Sequence, residues 1–209
     1  MRFILVRHGQ TYWNIEHRLH GWLDSDITPS SRDLALNLSL EEYFIDSQGV
    51  VLFSSDLIRA KRTAELIAKT HQLPMECDQR LRERRFGLLQ GEVINEKVNQ
   101  HSEWLAYSNR YNLPLSGKSF GEEPEIEFVD RILSFLSDSL SNGSQTIVIV
   151  SHGEWIRTFV NLCEKRASWE FGAGIPNNME PLIVDCSEED IATLLKKHEL
   201  QRQRARACT

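Results

Sequence analysis

Residues 3–14 read "FILVRHGQTYWN". The four apolar residues Phe3 to Val6 suit a strand covered on both faces, as strands of parallel sheets are. The run then stops at Arg7-His8-Gly9. Neither a cation nor an imidazole continues a strand core. Gly is favoured where the backbone turns or something comes close. The stretch predicts a buried strand whose carboxyl end presents Arg7 and His8 to a ligand.

The same apolar pattern recurs in "VVLFSS" (50–55), "TIVIVSH" (146–152) and "PLIVDCS" (181–187), with "PMECD" (74–78) as a shorter candidate. Helical spacing fills the gaps between them. In "DLIRAKRTAELIAKTH" (56–71), Leu57, Ala60, Ala64, Ile67 and Ala68 fall on one face, with Asp56 as an N-cap. In "EIEFVDRILSFLSDSL" (125–140), Ile126, Val129, Ile132, Leu133 and Leu136 form a stripe. "EWIRTFVNLCEKR" (154–166) follows the third strand directly. This alternation predicts an α/β fold, a mostly parallel central sheet flanked by helices on both faces. A chain of 209 residues without internal repeats suits one domain over 1–209. The polar, aromatic stretch at about 84–124 breaks the alternation. It predicts a short helix and a loop that cap a site.

Bulk properties exclude several functions. A formal charge of -6 gives no overall attraction for nucleic acid. The basic tail "KKHELQRQRAR" (196–206) reads as the solvated face of a terminal helix. No apolar run approaches the ~20 residues of a membrane span, and the N-terminal apolar run is too short for a secretory signal. Cys77, Cys163, Cys186 and Cys208 lie far apart without zinc-site spacing. The expectation is a cytoplasmic protein without structural disulfides or metal.

Two strands end alike, in "LVRHG" (5–9) and "VIVSHG" (148–153). Ligands of open α/β sheets gather beyond the carboxyl ends of the strands. If these two strands are parallel neighbours, His8 and His152 share a pocket. Arg59, one turn into the helix after the second strand, joins them with Arg7. Two guanidinium and two imidazole groups suit a tetrahedral dianion. Neighbouring cations disfavour protonation of an imidazole, so one His can serve as a neutral nucleophile and the other as a donor to the oxygens. Residue chemistry alone leaves open which is which. The cations also leave little room for a divalent metal, so the pocket calls for no cofactor. Glu83, in "LRERRFGLLQG" (81–91), is the candidate proton donor to a leaving group and the later base for water.

The motifs together resemble the histidine phosphatase superfamily, the phosphoglycerate mutase-like group, over nearly the whole chain. "RHGQTYWN" (7–14) is similar to its RHG-[EQ]-T-x-x-N opening, and "SSDLIRAKRTA" (54–64) to its S-D-L-x-R-A-x-x-T-A segment. "LRERRFGLLQG" and "VSHGEWIR" (150–157) match the acid and second-His motifs. The resemblance implies a phosphohistidine at His8, with Arg7, Arg59 and His152 as the phosphate pocket and Glu83 as proton donor. Asn14, with Gln10, Thr11, His20, Gly21 and Gly153, would lie toward the substrate, a small phosphorylated metabolite. Family mutases carry a larger insertion after the acid and a Tyr within it. The modest cap and Phe86 here imply a phosphatase, with mutase-type transfer and a non-catalytic phosphoester-binding module as the alternatives. The chain departs from the family pattern at His20 (usually Gln), Ser31 (Gly), Leu34 (Gln), Gln90 (Glu) and Pro124 (Ser). None of these touches the five core residues. Of the aromatics Trp13, Trp22, Trp104, Tyr107 and Tyr111, the sequence offers either substrate contact or a small cap core. One of Asn177 and Asn178 is expected near the pocket.

Overall fold

The computed structural model describes residues 1–46, 49–94, 101–140 and 143–207. Part of the expected cap (95–100) and Cys208 lie outside these segments. Five strands form one sheet in the order β3-β2-β4-β1-β5. They are β1 (Arg2–Arg7), β2 (Val51–Ser54), β3 (Met75–Cys77), β4 (Thr146–Ser151) and β5 (Pro181–Asp185). β1, β2, β3 and β4 run parallel, and β5 is antiparallel to β1. Arg7 stands opposite Ser151 in the register of β1 and β4. The two strand-end histidines therefore emerge side by side, on a mostly parallel sheet of the expected class.

Period-two alternation divides the apolar strand residues between two layers. Phe3, Leu5, Ile147 and Ile149 pack against α5 (Glu125–Leu140) and α6 (Gly153–Cys163), where Phe128, Ile132, Trp155 and Phe159 fill the space. Phe3 meets the edge of Phe159 at 5.1 Å between ring centroids, and Trp155 stacks on Phe159. Ile4, Val6, Val148 and Val150 pack on the other face, against α3 (Ile58–His71) and α2 (Pro29–Leu36). Ala60, Ala64 and Ala68 let α3 lie close to the sheet. The remaining helices are α1 (Tyr12–Ile15), α4 (Ser102–Ser108) and α7 (Glu188–Ala207). Among the described residues, no helix is long and apolar enough to cross a membrane.

Two local expectations are corrected. Asp56 does not cap α3, because the helix starts at Ile58 after Leu57, and Asp24 accepts the Ile58 N–H at 2.9 Å. Asp56 instead pairs with Arg82. Ile126 is 45% exposed, at the start of α5 where the helix has not yet met the sheet. Pro124 leaves α5 intact. It precedes the helix, and its carbonyl accepts the Phe128 N–H. The described part of 84–124 holds a short helical turn (Gly87–Leu89), α4 and an irregular return. Phe86, Leu89, Trp104, Leu115 and Phe120 form a third apolar cluster there with Leu19. The cap thus has a core of its own, and Trp104 belongs to it.

Candidate active site

A cavity of about 340 Å³ opens at the carboxyl ends of β1 and β4. Arg7, His8, Gln10, Asn14, His20, Gly21, Arg59, Glu83 and Gly153 all line it. His8 leaves β1 and Gly9 turns the chain at once. A Cβ on Gly9 would stand 2.8 Å from the Ser31 side chain, so glycine permits this close approach. His8 Nδ1 lies 2.9 Å from the Gly9 carbonyl oxygen. A carbonyl can only accept, so Nδ1 carries the hydrogen and Nε2 keeps its lone pair. Arg59 Nε donates to that Nε2 at 3.3 Å. Burial, then Arg59 and Arg7, hold the His8 pKa well below the usual imidazole range.

Arg59 is almost wholly buried. Its Nη1 binds Asp24 Oδ1 and the Leu23 carbonyl, and its Nη2 binds the Gly21 carbonyl at 2.8 Å. Gly21 has φ +54°, and a Cβ there would overlap the Gln90 side chain. Gln90 Oε1 accepts the N–H groups of Trp22 and Phe86, work that a Glu oxygen could do equally. Arg7 Nη1 donates to the Pro176 carbonyl at 2.9 Å. His152 stands behind the cavity wall, fully buried, its ring centroid 5.2 Å from that of His8. Both His152 ring nitrogens and Arg7 Nε are buried without a hydrogen-bond partner among the described residues. Such atoms are rare and costly in a finished core. The His152 pair lies in the ring packed against His8, and Arg7 lines the same cavity as His8.

The other expected contacts divide. His20 lines the cavity, with Trp13 against it at 5.3 Å and Thr11 Oγ1 2.8 Å from its Nε2. Burial, then Arg59 and Arg7, lower its pKa to about 3, so it is neutral. Thr11 is set behind His20 and caps α1, exchanging hydrogen bonds with Asn14. Its task is to hold Asn14 and His20. Of the two candidate asparagines, Asn178 reaches the pocket, its Nδ2 donating to the His8 carbonyl at 2.6 Å, while Asn177 pairs with Glu180.

Glu83 faces the same cavity. Its backbone carbonyl accepts from Trp22 Nε1 and Arg131 Nη2. Arg131 also grips the carbonyls of Arg80 and Arg82 at 2.7 and 2.6 Å, so one α5 side chain fixes the whole turn. The Glu83 carboxylate accepts two backbone N–H groups, from Arg84 at 2.9 Å and Glu154 at 3.3 Å. Burial, then the nearby Glu154 charge, raise its pKa above the usual carboxylate range.

Of the aromatics singled out in the sequence, Trp13 and Tyr107 line the cavity. Residues that sequence reasoning passed over complete the wall: Arg110 from the chain after α4, Glu154 from the first turn of α6, and Ile175 from the loop before β5. Arg110 lies between the rings of Tyr107 and Tyr111, 3.8 and 4.0 Å from their centroids. The available signals were an acid directly after a strand-end His-Gly and an arginine bracketed by aromatics in "YSNRYN" (107–112).

Comparison with known proteins identifies the family of the chain. The family model for the histidine phosphatase superfamily (branch 1) matches residues 3–196. A "Probable phosphoglycerate mutase GpmB" of Salmonella paratyphi C is 34% identical over 155 residues, covering 73% of this chain and 70% of the relative. A "Putative phosphoserine phosphatase 2" of Hydrogenobacter thermophilus is 33% identical over 165 residues, 77% of each chain. Among solved structures, a mycobacterial glucosyl-3-phosphoglycerate phosphatase in complex with VO3 superposes with a TM-score of 0.74 at 24% identity, covering 88% of this chain and 92% of its own. That likeness is one of fold. The match over nearly the whole length places this chain in the histidine phosphatase superfamily, branch 1.

Proposed function

We propose that the protein is a metal-independent phosphomonoester phosphatase that works through a phosphohistidine at His8. One observation carries the reading: the Gly9 carbonyl holds His8 Nδ1–H, and this leaves an unprotonated Nε2 against Arg59, in a cavity that Arg7 also lines and with the His152 ring 5.2 Å from that of His8. To react, Nε2 gives up its contact with Arg59 and attacks phosphorus. The bond from phosphorus to the ester oxygen breaks as the Glu83 carboxyl passes its proton to that oxygen. Arg7, Arg59 and the His152 N–H hold the three non-bridging oxygens as charge shifts among them. Water then attacks the phosphoryl group, Glu83 takes its proton, and the P–N bond breaks to release phosphate. Gln10, Asn14, His20, Gly21 and Gly153 border the ester group.

The modest cap supports hydrolysis over internal transfer, since a mutase must keep water from the phosphoenzyme. The likeness to a mutase-named relative keeps phosphoglycerate mutase-type transfer as the second reading. The test is a panel of phosphomonoesters with EDTA present, together with detergent quenching of labelled enzyme at alkaline pH and a later acid treatment. Phosphate release and an acid-labile, alkali-stable phosphoryl group absent from His8→Ala are the expected results. Isomerisation of 3-phosphoglycerate without phosphate release would establish the mutase reading instead. Chelator-sensitive hydrolysis, or full activity in folded His8→Ala, would overturn both.

A further inference from the structure

Two carboxylates line this cavity and receive opposite treatment. Glu83 accepts two backbone N–H groups, one of them the Glu154 amide. The Glu154 side chain is caged by charge. Its Oε1 accepts from Arg110 Nε at 2.9 Å and Tyr111 Oη at 2.7 Å, and its Oε2 from Arg157 Nε at 3.0 Å. The cage joins two segments: the chain after α4, which supplies Arg110 and Tyr111, and α6, which supplies Glu154 in its first turn and Arg157 three residues on. A carboxylate with two guanidinium partners and a phenol holds its charge. Among the described residues, the Glu83 carboxylate has no such side-chain partner. It faces Arg7 and Arg59 across the cavity, Tyr107 from α4 and Glu154 from α6.

Burial and then the Glu154 charge raise the Glu83 pKa, while Arg59 across the cavity and the two backbone N–H groups favour loss of the proton that the leaving group needs. We propose that Glu154 is a positioning residue for that proton: its caged carboxylate, on the same cavity wall, offsets the phosphate-pocket cations and, together with burial, favours the acid form of Glu83. Glu154 does not itself donate. Burial would raise its pKa, but Arg110 and Arg157 hold it at about 2. Pairs of carboxylates whose surroundings drive them apart in this way divide into acid and fixed charge. The inference rests on Glu83 as the proton donor, and it assigns the cap a second task, since Arg110 and Tyr111 help to hold the charge that Glu83 senses.

The test compares wild type with E154Q and E154D as full-length proteins. Glu carboxyl carbons labelled with ¹³C report the Glu83 titration by NMR without substrate, assigned with E83Q. The pH–rate profiles of an alkyl phosphate and of 4-nitrophenyl phosphate report it in turnover. In E154Q the Glu83 midpoint moves to lower pH, and the alkaline limb for the alkyl ester moves with it. Beyond that limb the rate falls about tenfold per pH unit, so the displacement reads as a rate ratio. The 4-nitrophenyl ester, which needs no proton on its leaving group, is spared, and E154D keeps the wild-type midpoint. An unmoved Glu83 midpoint in E154Q overturns the proposal, and so does a wild-type titration in which Glu154 takes up its proton at higher pH than Glu83. The wild-type titration decides the matter even if E154Q does not fold. If no ester is hydrolysed, the phosphatase reading fails while the NMR result still stands.

Discussion

His20 supplies a stability test whose size follows from its surroundings. The imidazole is buried beside Arg59 and Arg7, and its pKa falls from 6.5 to about 3 on folding. A lowered base gives stability that is fully present above its unfolded pKa and lost as pH falls below it, because the unfolded chain takes up a proton that the folded chain refuses. From about pH 7.5 to about pH 5.5 this loss comes to ~1.4 kcal/mol for a single site. His8 and His152 are lowered too and Glu83 is raised, so the total pH dependence mixes several groups. The change H20Q isolates one of them. Gln is uncharged throughout and retains a donor for Thr11 Oγ1. The difference in unfolding free energy, H20Q minus wild type, is therefore expected to grow by ~1.4 kcal/mol between those two pH values. For a domain of this size that corresponds to roughly 3–6 °C in Tm. Urea unfolding at both pH values reads it directly. A difference independent of pH would mean that His20 titrates freely in the folded protein, and the account of a cation-lined wall around it would be wrong.

Other perturbations separate the parts of the site. His8→Ala should abolish turnover and phosphoenzyme while leaving the circular dichroism spectrum of the fold in place; residual full turnover would remove His8 from the nucleophile role. Glu83→Gln should slow alkyl phosphates by about 10²–10⁴-fold and 4-nitrophenyl phosphate far less, and equal slowing of both would take the acid role from Glu83. Arg131→Ala leaves the carbonyls of Arg80, Arg82 and Glu83 without their shared donor and Glu123 without its partner. It should cost roughly 2–4 kcal/mol in urea unfolding and lower kcat more than it raises KM. An unchanged kcat would show that the turn carrying Glu83 holds its shape without Arg131.

The sheet was legible because strands buried on both faces leave a strong mark. Phe3 to Val6 and Ile147 to Val150 are all fully buried, and runs of that kind suit only a parallel sheet covered by helices. The catalytic edge was legible for a related reason. Polar residues placed directly after such runs do not continue an apolar core, so Arg7, His8 and His152 stood out in the sequence. The choice of His8 over His152 came from the family resemblance, and a local contact supports it. The Gly9 carbonyl that orients His8 is one residue away, but its direction depends on a turn that Ser31 and Thr63 enforce from two other helices. Helix caps were less legible. Asp56 lies in the right place in the sequence to cap α3, yet Asp24 reaches the helix N-terminus from a loop 34 residues earlier. Propensity sees neighbours along the chain, and this contact is made through space.

The same reasoning explains why the cap side of the pocket escaped notice. Glu154 in sequence is an acid in the first turn of a helix, where acids commonly sit for the favourable dipole. Arg110 in sequence is one cation in a polar loop. Each has an ordinary surface role available, and only their meeting gives them another. Once Arg110, Tyr111 and Arg157 converge on Glu154, its carboxylate is buried and stays charged, and a buried charge acts on every titratable group nearby. The arginine and histidine side of the cavity is built from residues whose type alone suits a dianion. The side proposed to manage the proton is built from the relation between two carboxylates, one caged by guanidinium groups and one without such a cage among the described residues. That relation arises when the 102–113 segment folds over α6, which is why no stretch of sequence read by itself displays it.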